Sequence, residues 1–149
     1  MRSRLIGNLL GLVKRGRRPT PQTARPRPGD DLHIEYSPCL DGDPDPGEVV
    51  WTWVPYEDDS SQGKDRPVVI IGRRRDNLLA VPLTSKPRAN ELQVEIGRGP
   101  WDPEGRVSYA KVERLLEVDP DRVRREGAGL ERMHFDGVVA GVRRAHRAP

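Results

Sequence analysis

The sequence predicts a mainly β domain with a single helix at its C-terminal end. Three observations predict it. Fifteen prolines and fifteen glycines in 149 residues favour short strands and turns over long helices. Short runs rich in β-branched and aromatic residues follow one another from Glu48 onward, each bounded by turn formers. Only beyond Leu130 does an apolar spacing of three and four residues set in, the period of a helix face.

The first strand is expected over Glu48–Val54 (E-V-V-W-T-W-V), after the turn-rich D-G-D-P-D-P-G. Residues 55–65 follow as a polar loop with Pro55, Ser60, Ser61 and Gly63 as turn formers. Pro67–Ile71 is a continuous apolar run, short enough for a buried strand, and it stops at Gly72 and three arginines. Asp76 and Asn77 predict a hairpin turn into a third strand, Asn77–Leu83. Leu92–Ile96 alternates as a half-buried strand does, and Arg106–Val118 reads as a long strand or a bent pair that Asp119-Pro120 stops. Leu130, Met133, Gly137, Val138, Ala140, Gly141 and Val142 recur at helical spacing. Arg143, Arg144 and Arg147 gather at the C-terminal end of that helix, where its dipole favours positive charge. Five or so short strands and one closing helix point to a small SH3-like barrel over residues 46–146.

The remainder is expected to lie outside the barrel. Hydrophobic residues make up only 34% of the chain and charged residues 33%, too lean a mixture for 149 residues of packed core. Charge is distributed in blocks. Residues 1–28 carry eight Arg or Lys and no acid, whereas residues 29–63 carry ten Asp or Glu and no base. The first block reads as a basic tail, with an amphipathic helix over Leu5–Val13 as an open alternative, followed by a proline-punctuated linker. The nine-residue run Leu5–Val13 falls far short of the roughly 20 residues that span a bilayer, and membrane contact of residues 1–18 is not expected. Residues 29–45 read as an acidic Pro/Gly-rich linker, and one reading has this acidic stretch fold back over a basic groove. The lone Cys39 can close no intramolecular disulfide and cannot alone hold zinc, so a reducing cytoplasm is the default location. His33 is the only nearby partner for a reactive thiol, against the plainer reading of a bystander cysteine.

The chemistry-bearing residues lie at strand ends. In Gln62-Gly63-Lys64-Asp65-Arg66-Pro67, the proline pushes Arg66 toward extended geometry at the mouth of a buried strand. Its permanently charged, planar fork of donors suits phosphate oxygens, although a rim ion pair with Asp65 or a glutamate is the simpler reading. Thr84, Ser85 and Lys86 end the next strand. If the two strands are antiparallel neighbours, Arg66 comes close to both hydroxyls and an oxyanion or phosphate clamp results. The alternative is that Thr84 and Ser85 only brace a turn. Arg73, Arg74, Arg75, Lys86 and Arg88 could add phosphate contacts, and Tyr56 and Trp101 are the expected stacking platforms, since a strand tryptophan such as Trp51 or Trp53 is more often core.

The order G-E-V-V-W-T-W-V, S-Q-G-K-D-R-P-V-V-I-I, L-A-V-P-L-T-S-K and R-V-S-Y-A-K-V-E-R-L-L-E-V resembles the PemK/MazF family of bacterial toxin endoribonucleases over about residues 46–146. The resemblance implies a MazF/CcdB-type SH3-like barrel, a homodimer, a cognate antitoxin partner and no cofactor. It also implies metal-free cleavage of single-stranded RNA by 2′-hydroxyl attack. Arg66 and Thr84 match the family's functional arginine and threonine, with Ser85 as a second donor. Gln62, Gly63, Lys64 and Tyr56 would meet RNA from the loop that closes over it. Ser61 stands where many members have glutamate, and Glu113-Arg114-Leu115 where many have D-Q-[IV], so Asp65, Glu57, Asp58 and Asp59 stay open as proton acceptor. No histidine lies within the four quoted segments. The runner-up function is a non-catalytic module on the same fold, with DNA or a gyrase-type protein as partner.

Overall fold

The computed structural model describes residues 22–23, 32–39 and 43–147, and the side chains of 22, 23, 32 and 125–127 are excepted. Nine strands form one continuous antiparallel arrangement: β1 (Gln22–Thr23), β2 (Leu32–Ile34), β3 (Glu48–Pro55), β4 (Gly63–Arg74), β5 (Asn77–Thr84), β6 (Gln93–Gly97), β7 (Ser108–Lys111), β8 (Leu116–Val118) and β9 (Arg124–Gly129). One helix, α1 (Arg132–Ala145), follows them. The expected mainly β fold with a C-terminal helix is the fold observed, a curled antiparallel half-barrel.

β4 and β5 organise it. Both are long and apolar in the middle, and both serve two neighbours in succession. The first half of β4 pairs with β3 and its far end with β2. The first half of β5 pairs with β8, and its last two residues pair with β7. Alternation along these strands supplies apolar side chains to both faces. Val68, Ile70, Leu78 and Ala80 cluster with Val50, Val54, Leu116 and Val118 on one face. Val69, Ile71, Leu79, Val81 and Leu83 lie on the other face, under α1, where Phe135, Val138, Val139 and Val142 cover them.

Several boundaries differ from expectation for identifiable reasons. β4 extends from Gly63 through Arg74 because β3 and β2 supply backbone partners for its charged ends, which the apolar pattern alone does not reveal. The hairpin turn is Arg75-Asp76, one residue earlier than expected, with Arg75 in the left-handed region (φ 57°). Residues 106–118 split into β7 and β8 around a turn in which the Arg114 N–H donates to the Lys111 carbonyl. β9 (R-R-E-G-A-G) carries no alternating pattern and owes its strand geometry to the free edge of β3. On α1, Phe135 is buried and Met133 is 72% exposed, reversing the expectation for Met133.

The segment expected as an acidic linker is partly built into the fold. Leu32–Ile34 pairs with Gly72–Arg74, and the Glu35 N–H donates to the Ile71 carbonyl. The pairing is close enough that a Cβ on Gly72 would sit 2.2 Å from the His33 carbonyl oxygen. Tyr36 then reaches across to α1: its hydroxyl donates to the Leu130 carbonyl at 2.6 Å and its ring packs 5.0 Å from Phe135. The buried Glu48 accepts the N–H groups of Cys39 (2.8 Å) and Asp45 (3.3 Å). The expected basic tail, apart from Gln22–Thr23 paired with β8, lies outside the described residues. No helix among the described residues is long and apolar enough to cross a membrane.

Candidate active site

A notch opens where β4 and β5 part. From Val68 onward β4 pairs with β5, in the register Val68↔Pro82, but Gly63–Pro67 pairs with β3 alone. β5 meanwhile swings to β7 at Leu83. Continuing the β4–β5 register sets Arg66 opposite Thr84 on one face of the sheet. The antiparallel adjacency expected from sequence is therefore present, and Arg66, Thr84 and Ser85 line one cleft of about 430 Å³. Arg66 lies within β4 and not at its mouth, because β3 pairs with β4 as far as Gly63.

The cleft is electropositive. Lys64, Arg66, Lys86, Arg88, Arg106 and Lys111 line it, against only Asp65 and Asp102. Asp102 is held by Arg106 at 2.9 Å. Burial disfavours the charged form of Asp102, but the Arg106 side chain and nearby backbone N–H groups outweigh this, and its pKa is lowered. Asp65 leaves β4 on the side opposite Arg66, as successive strand residues do, and its nearest cation is Arg124 at 3.9 Å. The Thr84 hydroxyl oxygen accepts the Lys86 N–H at 3.1 Å, a local turn that leaves the hydroxyl proton available as a donor.

Lys111, given no role from the sequence, also lines the cleft. Lys111 is held between Glu57 (2.9 Å) and Glu91 (3.6 Å). Its hydrogen bond to Glu57 is the main cause of that carboxyl's lowered pKa, to which Arg114 and Arg66 add. Arg114 is only 9% exposed and donates to the Pro55 carbonyl, so it fixes the end of β3 from below. Burial pushes the Arg114 pKa down, and the nearby charge of Arg66 adds to that effect while Glu57 opposes it. No spacing in the sequence brings residues 57, 66, 111 and 114 together; the fold does.

The loop between β3 and β4 is braced from within. Asp59 accepts from the Ser61 hydroxyl (2.6 Å) and from the Gln62 amide (2.9 Å), and the Tyr56 N–H donates to the Gln62 carbonyl. The Ser61 hydrogen bonds, foremost, hold the Asp59 pKa down. Gln62, Gly63 and Tyr56 do not line the cleft. Arg73, Arg74 and Arg75 sit at the far end of β4, where Asp45 pairs with Arg73 (3.2 Å) and Glu117 with Arg74 (2.8 Å). Trp101, expected as a stacking platform, is 5% exposed and part of the core, its Nε1 donating to Ser108. Its remaining exposed edge still borders the cleft, and the half-buried Trp51, expected as core, lines the cleft as well. Among the described residues no group of three His, Cys, Asp or Glu is arranged to hold a metal ion. His33 is engaged by Glu35 at 2.7 Å.

Fold and cleft together define a small curled-sheet domain whose strand junction presents one arginine, two hydroxyls and a ring of cations. Residues 45–146 match the family of PemK-like, MazF-like toxins of type II toxin–antitoxin systems, and the chain belongs to that family. Among solved structures, an endoribonuclease in complex with its cognate antitoxin from a mycobacterial species is 17% identical with a TM-score of 0.51. The match covers 70% of this chain and 95% of that one. The Mycobacterium tuberculosis toxin MazF-mt6 is 14% identical with a TM-score of 0.45, over 64% of this chain and 94% of that one. No curated protein sequence matches.

Proposed function

We propose that this toxin-family chain is an endoribonuclease that cuts single-stranded RNA in the cleft between β4 and β5. One observation carries the reading: Arg66 from β4 and Thr84-Ser85 from the end of β5 line a single cationic cleft in a chain of this family. The substrate's 2′-oxygen attacks the adjacent phosphorus, the P–O5′ bond breaks, and a 2′,3′-cyclic phosphate and a 5′-hydroxyl result. The 2′-proton leaves to a basic group or water, and the departing 5′-oxygen takes up a proton. Arg66 opposes the charge that develops on the phosphorane, and the Thr84 and Ser85 hydroxyls donate to its oxygens. Glu57 and Asp59 are poor proton acceptors, because their hydrogen bonds hold them ionised. The cations do the neutralising work, so cleavage proceeds without metal. Expected partners are an antitoxin whose acidic segment competes for the cleft, and a second copy of the chain.

The test is incubation of the full chain with a long single-stranded RNA at low salt in the presence of EDTA. Cleavage with cyclic phosphate termini is expected, and Arg66→Ala should slow it at least about 100-fold. Equal cleavage by the Arg66→Ala protein would sink the assignment. RNA binding without products would make the chain a binding module, and a DNA oligonucleotide in the same assay reads out any DNA contact.

A further inference from the structure

We propose that Asp65, beside Trp51, reads a base of the bound RNA strand and favours guanine over uracil. The inference rests on the reading that the cleft binds single-stranded RNA. Asp65 and Arg66 are neighbours on an open strand edge, so their side chains leave it on opposite sides. Arg66 takes the hydroxyl side with Thr84. Asp65 takes the side of Trp51, whose Nε1 donates to the Trp101 carbonyl at 3.1 Å and so fixes the indole plane. Arg124, paired with Trp51 across β3 and β9, lies 5.5 Å from the indole centroid and 3.9 Å from the Asp65 carboxylate.

The half-exposed Arg124 guanidinium lies over the indole ring, so guanidinium and indole together form a layered stacking surface with an acceptor at its side, next to the phosphate site. At 3.9 Å the Arg124 pair is too long for a hydrogen bond, and both side chains are about half exposed (51% and 53%). The Asp65 oxygens therefore keep acceptor capacity for a ligand. Single-stranded bases are commonly recognised by stacking on aromatic or guanidinium planes and by hydrogen bonds to their Watson–Crick edge. A carboxylate accepts only. Guanine offers adjacent N1–H and N2–H donors that match its two oxygens. Adenine and cytosine offer one amino group beside an acceptor. Uracil offers one N–H between two carbonyls that repel the carboxylate. A carboxylate is otherwise out of place among six cations that bind a polyanion, and base reading gives it a purpose.

The experiment uses the full chain and 2′-O-methyl hexauridylates, which cannot be cleaved, carrying a single guanine at each position in turn. Titrations should show one position at which guanine binds about tenfold or more tighter than uracil, with adenine and cytosine between them. Asp65→Asn should reduce that ratio to about one or reverse it, and the exposed position of Asp65 keeps the fold intact, as a thermal melt would verify. Binding of all oligonucleotides without discrimination, or discrimination unchanged in the Asp65→Asn protein, overturns this inference and leaves the RNA reading standing. Absence of binding to any of them overturns both. If cleavage is found and Asp65→Asn slows it equally at every sequence with a displaced pH profile, Asp65 is the proton acceptor and base reading is wrong.

Discussion

At the scale of residues, the cleft is governed by how each charge is held. Arg66 has an open face because Asp65 points away from it and pairs loosely with Arg124. Lys111 does not: Glu57 holds it at 2.9 Å, tying the β3–β4 loop to β7 beside the phosphate site. An RNA phosphate and Glu57 would compete for the same ammonium group. Glu57→Gln should therefore tighten RNA binding by a few-fold at low salt, measured by titration, and cost under about 1 kcal/mol of stability, since the Glu57 side chain is largely exposed and Lys111 keeps Glu91 as a second partner. The sign with pH follows from the lowered Glu57 pKa. The pair's contribution is complete above the ordinary carboxylate range and is lost as pH falls through the folded-state value. Wild-type affinity should rise on acidification below the carboxylate range relative to the Glu57→Gln protein, and parallel curves for the two would contradict the competition.

At the scale of elements, β2 and the residues after it are a structural part of the domain although the family match begins at residue 45. Leu32–Ile34 covers the edge of β4 that β3 leaves open, which removes an exposed strand edge. Tyr36 then fastens this segment to α1 through Leu130 and Phe135. Tyr36→Phe should cost about 1 kcal/mol by losing one hydrogen bond, and Tyr36→Ala about 3 kcal/mol by also losing ring packing. Urea denaturation measures both, and an unaffected midpoint in the Tyr36→Ala protein would show that the segment is not part of the cooperative unit. The strands with strong apolar runs, β3 to β5, were legible because their side chains are buried on both faces and β-branched residues fill them. β2 and β9 were not legible. Three residues of L-H-I and the glycine-rich R-R-E-G-A-G become strands only because an edge of β4 or β3 lies beside them.

At the scale of the whole molecule, block charge in the sequence and local charge in the fold are different quantities. The acidic stretch does not lie over the cleft as a mimic of RNA among its described residues. Asp45 faces Arg73 at the distant end of β4, and only Glu57 reaches a cleft cation. The cleft therefore keeps a surplus of positive charge, six basic residues against two acidic ones. RNA affinity should fall linearly with the logarithm of salt concentration, with a slope of about −0.7 per phosphate contacted, or about −3 for four or five contacts. A slope near zero would remove phosphate from the account of the site. The arginines at 73–75, prominent as a triplet in sequence, should contribute little to that slope, since Asp45 and Glu117 already hold two of them away from the cleft.

The sequence by itself determined the β-rich class, the order of the central strands, the closing helix and the pairing of Arg66 with Thr84 and Ser85. Hydrophobic runs and turn residues act locally, and one antiparallel hairpin suffices to bring positions 66 and 84 together. The tertiary structure alone decided which cations share the cleft, that Trp51 joins Trp101 in its lining, and that Asp65 looks away from Arg66. Those outcomes depend on β5 leaving β4 for β7 and on β9 reaching the edge of β3. Contacts of that kind join residues as distant in sequence as Glu48 and Gly129, and no local pattern encodes them.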